Sequence, residues 1–400
     1  MERTKQRYKA IYELHDYEEE IACIYIGQKL LASISRVGHH MIERRTILLR
    51  TTPFLIAGLI VFVVYLAVFV DISEMIQVIR EINLQIYFLA ASLVILETTF
   101  FTLTWQYLLV PLSVKVPLKR VFMYVWIGIF ADLLIPAESV SGEVVKAYLM
   151  SKEPETNTGK VVASLVSQRI LGTIATILTL FLGFLALLTL DYSMSGLMLQ
   201  ILLSVILVSA LAFCFLLVIC VKRQWTERLI GAVMHLAKYV SRGRFEPERF
   251  QARIMDGLRS FYQSFKTFGS HPSRLLRPVV FYILTWLASI STVFFVFMSI
   301  GYLQPNIPTL LLKISIINTL MIAVKSIPIG VPAEVGLADI AMTTLFILFA
   351  IPANISAAAT VLTRILTVWL RFFIGFVAVQ WLGLRNLIGS GIFGKTKNEV

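Results

Sequence analysis

Apolar runs close to 20 residues long alternate along the chain with short polar stretches, which is the spacing of helices that cross a bilayer. Such runs occupy 53–70, 85–110, 161–188, 197–221, 278–300 and 355–383. The regions 119–150 and 309–351 are also apolar, but Pro and Gly interrupt them near their middles. Each predicts two helical pieces joined by a turn, folding back to the side they came from. The expected fold class is therefore an all-α polytopic membrane protein: about six full spanning helices plus two broken, re-entrant helical hairpins.

The segment 222–277 is too polar to span. Within it Phe250, Ile254, Leu258, Phe261, Phe265 and Phe268 recur at helical spacing, with Arg249, Arg253, Arg259 and Lys266 largely between them. Two placements fit such a helix: flat on the cytoplasmic face of the membrane, attracted by anionic headgroups, or packed against other cytoplasmic segments.

Composition agrees with the pattern. Hydrophobic residues make up 58% of the 400, charged residues 15%, and mean hydropathy is +0.80. The formal charge of +12 would suit a nucleic-acid partner only if the cations were clustered. Instead 29 of the 36 Lys and Arg fall in 1–52, 111–120, 150–160, 222–277 and 384–400, while the loops on the opposite side hold Arg80 alone. That asymmetry predicts cytoplasmic N- and C-termini and no nucleic-acid partner. The run YEEE and nine cations in the first 50 residues argue against a cleaved signal peptide, and a plasma membrane is the simplest location. The expected layout is a cytoplasmic region over 1–52, a transmembrane domain over 53–383 and a cytoplasmic tail over 384–400.

The remaining six cations, Lys146, Arg169, Lys313, Lys325, Arg364 and Arg371, lie inside apolar regions, where charge needs a partner or water. Two of them belong to an internal echo. Ile135-Pro136 is followed by Gly142, Glu143 and then Gln168-Arg169-Ile170-Leu171. Ile327-Pro328 is followed by Gly330, Pro332, Glu334 and then Thr363-Arg364-Ile365-Leu366. Three full crossings separate the two hairpins, so the units, about 85–221 and 278–383, are expected to be inverted repeats.

Pro136, Pro328 and Pro332 mark the helix breaks. A helix restarted at depth presents unpaired N–H groups and a positive dipole end, a ready site for an anion or for an acidic cap. Arg169 and Arg364 fall about 12–14 Å into their predicted helices, near the middle of the hydrocarbon. A guanidinium offers phosphate two parallel donors. Glu97, Asp132, Glu138, Glu143, Glu334 and Asp339 are the acids available to pair with the arginines, and a structural network of ion pairs is the competing account. The expected substrate-binding set is Arg169, Arg364, Glu143, Glu334, Gly142, Gly330, Lys146 and Arg371, with no catalytic residue.

Other chemistry is scarce. The histidines 15, 39, 40, 235 and 271 lack metal-ligand spacing, and Cys23, Cys214 and Cys220 suggest neither a disulfide framework nor a zinc site. Phosphate-cradling loops and nucleophile elbows are absent, so no cofactor is expected.

The stretches IPAESVSGEVVKAYLMSK with VVASLVSQRILGTIATIL, and IPIGVPAEVGLADIAMTTL with AAATVLTRILTVWL, resemble the transmembrane region of lysylphosphatidylglycerol synthases over roughly 55–385. The first Gly six residues after Pro136 departs from the compact Pro-Gly turn of that family. The resemblance implies flipping of modified phospholipids, the amino acid being attached by a separate soluble domain for which the 17 residues after Gly383 leave no room. It implies membrane-lipid partners with an anionic or polyprenyl-phosphate headgroup, and allows a separate lipid-modifying enzyme and a homo-oligomer. The expected function is a lipid translocase. An enzyme acting on a lipid or polyprenyl-phosphate, and a secondary transporter of a small anion, are the alternatives.

Overall fold

The computed structural model describes residues 60, 63, 64, 68, 72–135, 140–154, 156–190, 195–224, 226–228, 248–270, 272–303, 306–325 and 334–392. By internal contacts the chain divides into two units, Met1–Ala57 and Gly58–Val400, and every described residue belongs to the second. The region 1–52 and most of the predicted span 53–70 lie outside the described residues.

Among the described residues every regular element is a helix. They are α1 (Ile72–Arg80), α2 (Leu84–Leu109, extended by a 3-10 turn Val110–Leu112), α3 (Leu118–Leu134), α4 (Val140–Ser151), α5 (Thr158–Thr189) and α6 (Gly196–Val221). There follow α7 (Glu248–Ser270), α8 (Leu276–Ser299), α9 (Ile307–Lys325), α10 (Leu337–Leu348), α11 (Ala353–Arg364) and α12 (Arg371–Ile392). A π-helical turn, Ile365–Leu370, joins α11 to α12. Local chemistry sets the long-helix starts: Asn83 accepts from the N–H of Gln85 and Ile86, Asn157 from Gly159, and Ser195 from Met198.

Six of these helices are long and apolar enough to cross a membrane: Leu84–Leu112, Thr158–Thr189, Gly196–Cys220, Ser273–Ser299, Ile307–Val324 and Ala353–Leu382. Five coincide with predicted spans. The sixth is α9, the first arm of the second broken region, which carries Lys313 alone among charges before its last residue and so reaches spanning length. The second arm, α10, has 12 residues, about 18 Å, and cannot cross. α6 shows how these helices meet lipid: Leu207, Leu211 and Phe215 are each more than 60% exposed, a stripe that water would not tolerate.

The bundle is organised on the antiparallel pair α2 and α8. At one end the Asn83 N–H donates to the Ser299 carbonyl at 2.7 Å, and at the other the Tyr107 ring stacks on Phe281 at 5.2 Å. At the Tyr107 end a core of Trp105, Leu109, Val121, Met150, Val161 and Phe268 holds the first hairpin, α3 and α4. Towards the Asn83 end Leu187, Met198, Phe297, Ile316, Phe346 and Phe349 hold the second, α9 and α10. Phe297, near the end of α8, packs edge-on against Phe346, near the end of α10. Arg120 and Tyr124, near the start of α3, bind Glu153 just after α4. The two hairpins thus open at opposite ends of the pair.

Of the two placements open to the amphipathic segment, the packed one holds for its described half. Leu258, Phe261 and Phe268 of α7 are buried, and Gly159 at the start of α5 lies against Gly257 and Ser260. The side chains of Phe250, Ile254, Arg249 and Arg253 lie outside the described residues.

Candidate functional site

The first hairpin is closed by glycines. A Cβ on Gly128 would meet the Gly142 carbonyl at 3.0 Å, and one on Gly142 would collide with the Asp132 carboxylate and the Gly128 carbonyl. Without side chains at these positions α3 and α4 approach closely, as helices in lipid do through small residues. The approach brings Asp132 of α3 onto the start of α4. Its Oδ1 accepts from Ser141 Oγ at 2.7 Å and from the Gly142 N–H at 2.6 Å. The positive end of α4 is thus capped from the facing helix, and Glu143, in its first turn, is left to other work.

That work is Arg169. Its Nη1 lies 3.9 Å from Glu143 Oε1, at the outer limit of an ion pair, with side-chain exposures of 44% and 35%. Lys146, one turn beyond Glu143, is instead buried, its Nζ 5.4 Å from the Phe101 ring and 5.7 Å from the Trp105 ring. Two aromatic faces offset part of the cost of burying that ammonium. The rings are held in turn: Trp105 Nε1 donates to Ser164 Oγ and Gln168 Nε2 to the Phe101 carbonyl.

The second hairpin uses the same residue types differently. Gly336, at φ +92°, turns the chain into α10, and its N–H donates to Asp339 Oδ2 at 2.7 Å. Asp339 is therefore a cap from within its own helix, three residues on. Its other oxygen, Oδ1, accepts from Arg364 Nε at 2.8 Å, and both side chains are 8% exposed. Glu334 just before the turn is buried, sits at φ +50°, and its Oε1 has no hydrogen-bond partner among the described residues. Pro136, Glu138, Pro328, Gly330 and Pro332 lie outside the described residues.

Arg169 and Arg364 occupy matching positions, since α5 begins at Thr158 and the 12-residue α11 at Ala353, which places each about 17 Å into its helix. They enter separate pairs: Arg169 with Glu143, Arg364 with Asp339. Arg371 forms a third, its Nη2 2.7 Å from Glu97 Oε2, tying α12 to α2. Tyr282 of α8 sets its hydroxyl against the small surface of Gly172 on α5, three residues beyond Arg169. Periodicity gives no sign of Tyr282, because its role depends on α8 packing beside α5. Among the described residues no three His, Cys, Asp or Glu side chains stand together as metal ligands would.

An apolar helical bundle with charges paired at mid-span is a polytopic membrane protein. Its family is also defined: the chain belongs to the lysylphosphatidylglycerol synthase transmembrane-region family, whose sequence profile matches residues 55–375. It is similar to a UPF0104 membrane protein of Pyrococcus horikoshii, 23% identical over 326 residues, covering 80% of this chain and 93% of the relative. It is also similar to UPF0104 membrane proteins of Methanothermobacter thermautotrophicus, 25% identical over 74% of this chain and 85% of the relative, and of Methanocaldococcus jannaschii, 24% identical over 80% and 91%. No solved structure matches the chain.

Proposed function

We propose that the chain is a lipid translocase that moves a phosphate-bearing headgroup, anionic or polyprenyl-phosphate, through a polar path between its two hairpins. The observation that carries this reading is the Arg169–Glu143 pair: 3.9 Å apart, more than a third exposed, and set deep in an apolar bundle beside a hairpin whose tip is already capped by Asp132. A guanidinium so loosely held can exchange its carboxylate for a phosphate, and the lost pairing is small beside two charge-assisted hydrogen bonds.

The two units act as inverted repeats, about 85–221 and 278–383. One is open at its arginine and the other sealed, which corresponds to one state of an alternating pair. Gly142 keeps the first tip compact, Lys146 adds positive potential from behind the aromatic rings, and Glu334 and Arg371 border the second half. Acyl chains remain in lipid along apolar faces such as that of α6. The termini are cytoplasmic and the membrane is the plasma membrane. A separate enzyme supplies the lipid, since the chemistry of these residues is binding rather than bond-making.

Proteoliposomes carrying fluorescent lipids, with dithionite quenching of accessible headgroups, test the reading. Wild type is expected to expose inner-leaflet lipid and Arg169→Ala to lose that activity. A wild type inert towards anionic, zwitterionic and polyprenyl-phosphate lipids sinks the proposal. Inhibition by soluble phosphate esters alone, without lipid movement, would favour a small-anion transporter.

A further inference from the structure

A second concentration of charge lies at the Tyr107 end of the α2/α8 pair. The turn from α2 to α3 and the start of α8 enclose a cleft of about 460 Å³, lined by Tyr107, Pro111, Ser113, Ser273, Arg274 and Arg277. An adjoining hollow of about 490 Å³ shares Ser113 and adds Lys115 and Gln106. Residues 106–120 and 272–283 contain five Lys or Arg and no acid. Of these cations Arg120 is spent on Glu153, whereas among the described residues Lys115, Arg274 and Arg277 have no carboxylate partner.

The cleft is built rather than incidental. Arg277 lies over the Tyr107 ring at 5.6 Å, and Tyr107 is itself stacked on Phe281 at 5.2 Å, so one guanidinium plane is fixed by a three-residue stack. Ser113 stands at φ +59°, a left-handed turn position, and lines the cleft together with Ser273. The apolar spans Leu84–Leu112 and Ser273–Ser299 end here, which is the level at which hydrocarbon gives way to headgroups. Leu276 and Val280, 66% and 46% exposed, continue down α8 as an apolar face.

We infer that this cleft binds the phosphate diester of an anionic phospholipid, with Arg274 and Arg277 as donors, Ser113 and Ser273 as hydroxyl partners, and acyl chains along Leu276 and Val280. The ligand bridges α2 and α8, the first long helices of the two halves, and so clamps the pair about which the hairpins are arranged. The site is independent of Arg169 and of the translocase reading.

Native mass spectrometry of the full chain in detergent, titrated with phosphatidylglycerol, tests this in an Arg169→Ala background so that headgroup binding at the hairpin does not contribute. One saturable phosphatidylglycerol is expected to remain. Arg274→Gln with Arg277→Gln is expected to weaken it about ten-fold or more, the worth of one or two charge-assisted hydrogen bonds. Phosphatidylcholine is expected to bind more weakly than phosphatidylglycerol. Should the Gln variants fail to fold, Arg274→Lys with Arg277→Lys keeps the charge and removes the planar fork, and a several-fold loss is still expected. Equal affinity in wild-type and variant clefts overturns the inference, as does an equal loss in Arg223→Gln, an exposed arginine outside the cleft that would report diffuse charge only. Glycerol 3-phosphate or inorganic phosphate matching the lipid in affinity would overturn the lipid assignment in favour of a soluble anion.

Discussion

The first hairpin leaves Arg169 and Glu143 3.9 Å apart and more than a third exposed, while the second clamps Arg364 on Asp339 at 2.8 Å with both side chains nearly sealed. Each pair joins an arginine at the same depth in its helix to an acid near the start of the preceding short helix, Glu143 in one and Asp339 in the other. The difference lies in which acid performs the cap. In the first hairpin Asp132 reaches across from α3 and releases Glu143 for the arginine; in the second Asp339 both caps and pairs, one carboxylate oxygen to each task. Cap and counter-ion are separate in one half and merged in the other, which leaves one arginine partly exposed and the other sealed.

Substitutions that act on that difference are expected to rank by burial. Arg364→Ala strands the Asp339 carboxylate in a sealed site and is expected to cost about 3–5 kcal/mol, read as a large fall in melting temperature in detergent. Replacing Arg364 and Asp339 together by Leu is expected to recover much of that loss, and a single variant as stable as wild type would contradict the sealed pair. Gly142→Ala forces a Cβ into the Asp132 carboxylate and the Gly128 backbone and is expected to cost about 1–3 kcal/mol. Gly257→Ala, whose Cβ would meet nothing within 4 Å, is the control expected to keep full stability.

Smaller effects follow. Asp132→Asn weakens a charged cap and is expected to cost about 1 kcal/mol by thermal melting, whereas Asp339→Asn costs more because it also loosens Arg364. A larger loss from Asp132→Asn than from Asp339→Asn would reverse the assignment of roles. Arg169→Ala is expected to change stability by less than about 1 kcal/mol, since the pair is 3.9 Å apart and more than a third exposed, and yet to abolish lipid movement in proteoliposomes. Matching losses of stability in Arg169→Ala and Arg364→Ala would erase the contrast between the halves.

Much of this is legible in the residues, and the limits have physical causes. Uninterrupted apolar runs place α2, α5, α6, α8 and the start of the α11–α12 helix to within a few residues, because hydrocarbon thickness sets their length; α12 continues nine residues past the predicted 383. Intramembrane Arg169, Arg364 and Arg371 stand out because charge there demands a partner, and Glu143, Asp339 and Glu97 all come from the acids the sequence offers. Which acid meets which arginine is not legible, because it depends on the Gly128–Gly142 approach and on the turn at Gly336. Lys146 shows the same limit: its place between Phe101 and Trp105 depends on α2 and α4 meeting, which no local pattern records. The length of α9 is a further case. Pro and Gly beyond Lys325 mark the break without saying that the arm before it is already long enough to span.

The π turn at Ile365–Leu370 acts as a spacer whose value lies in its residue count. Arg364 and Arg371 are seven apart, so on an uninterrupted α-helix they would lie about 20° from each other on one face. Here the wider turn between them lets the first address α10 and the second α2. Straightening 365–370 into an α-helix at its present length would alter neither composition nor charge, yet would rotate everything downstream by about 100° and misaddress Arg371. Loss of one residue together with the wide turn would keep Arg371 near its present direction, so residue count and turn type are matched in this stretch.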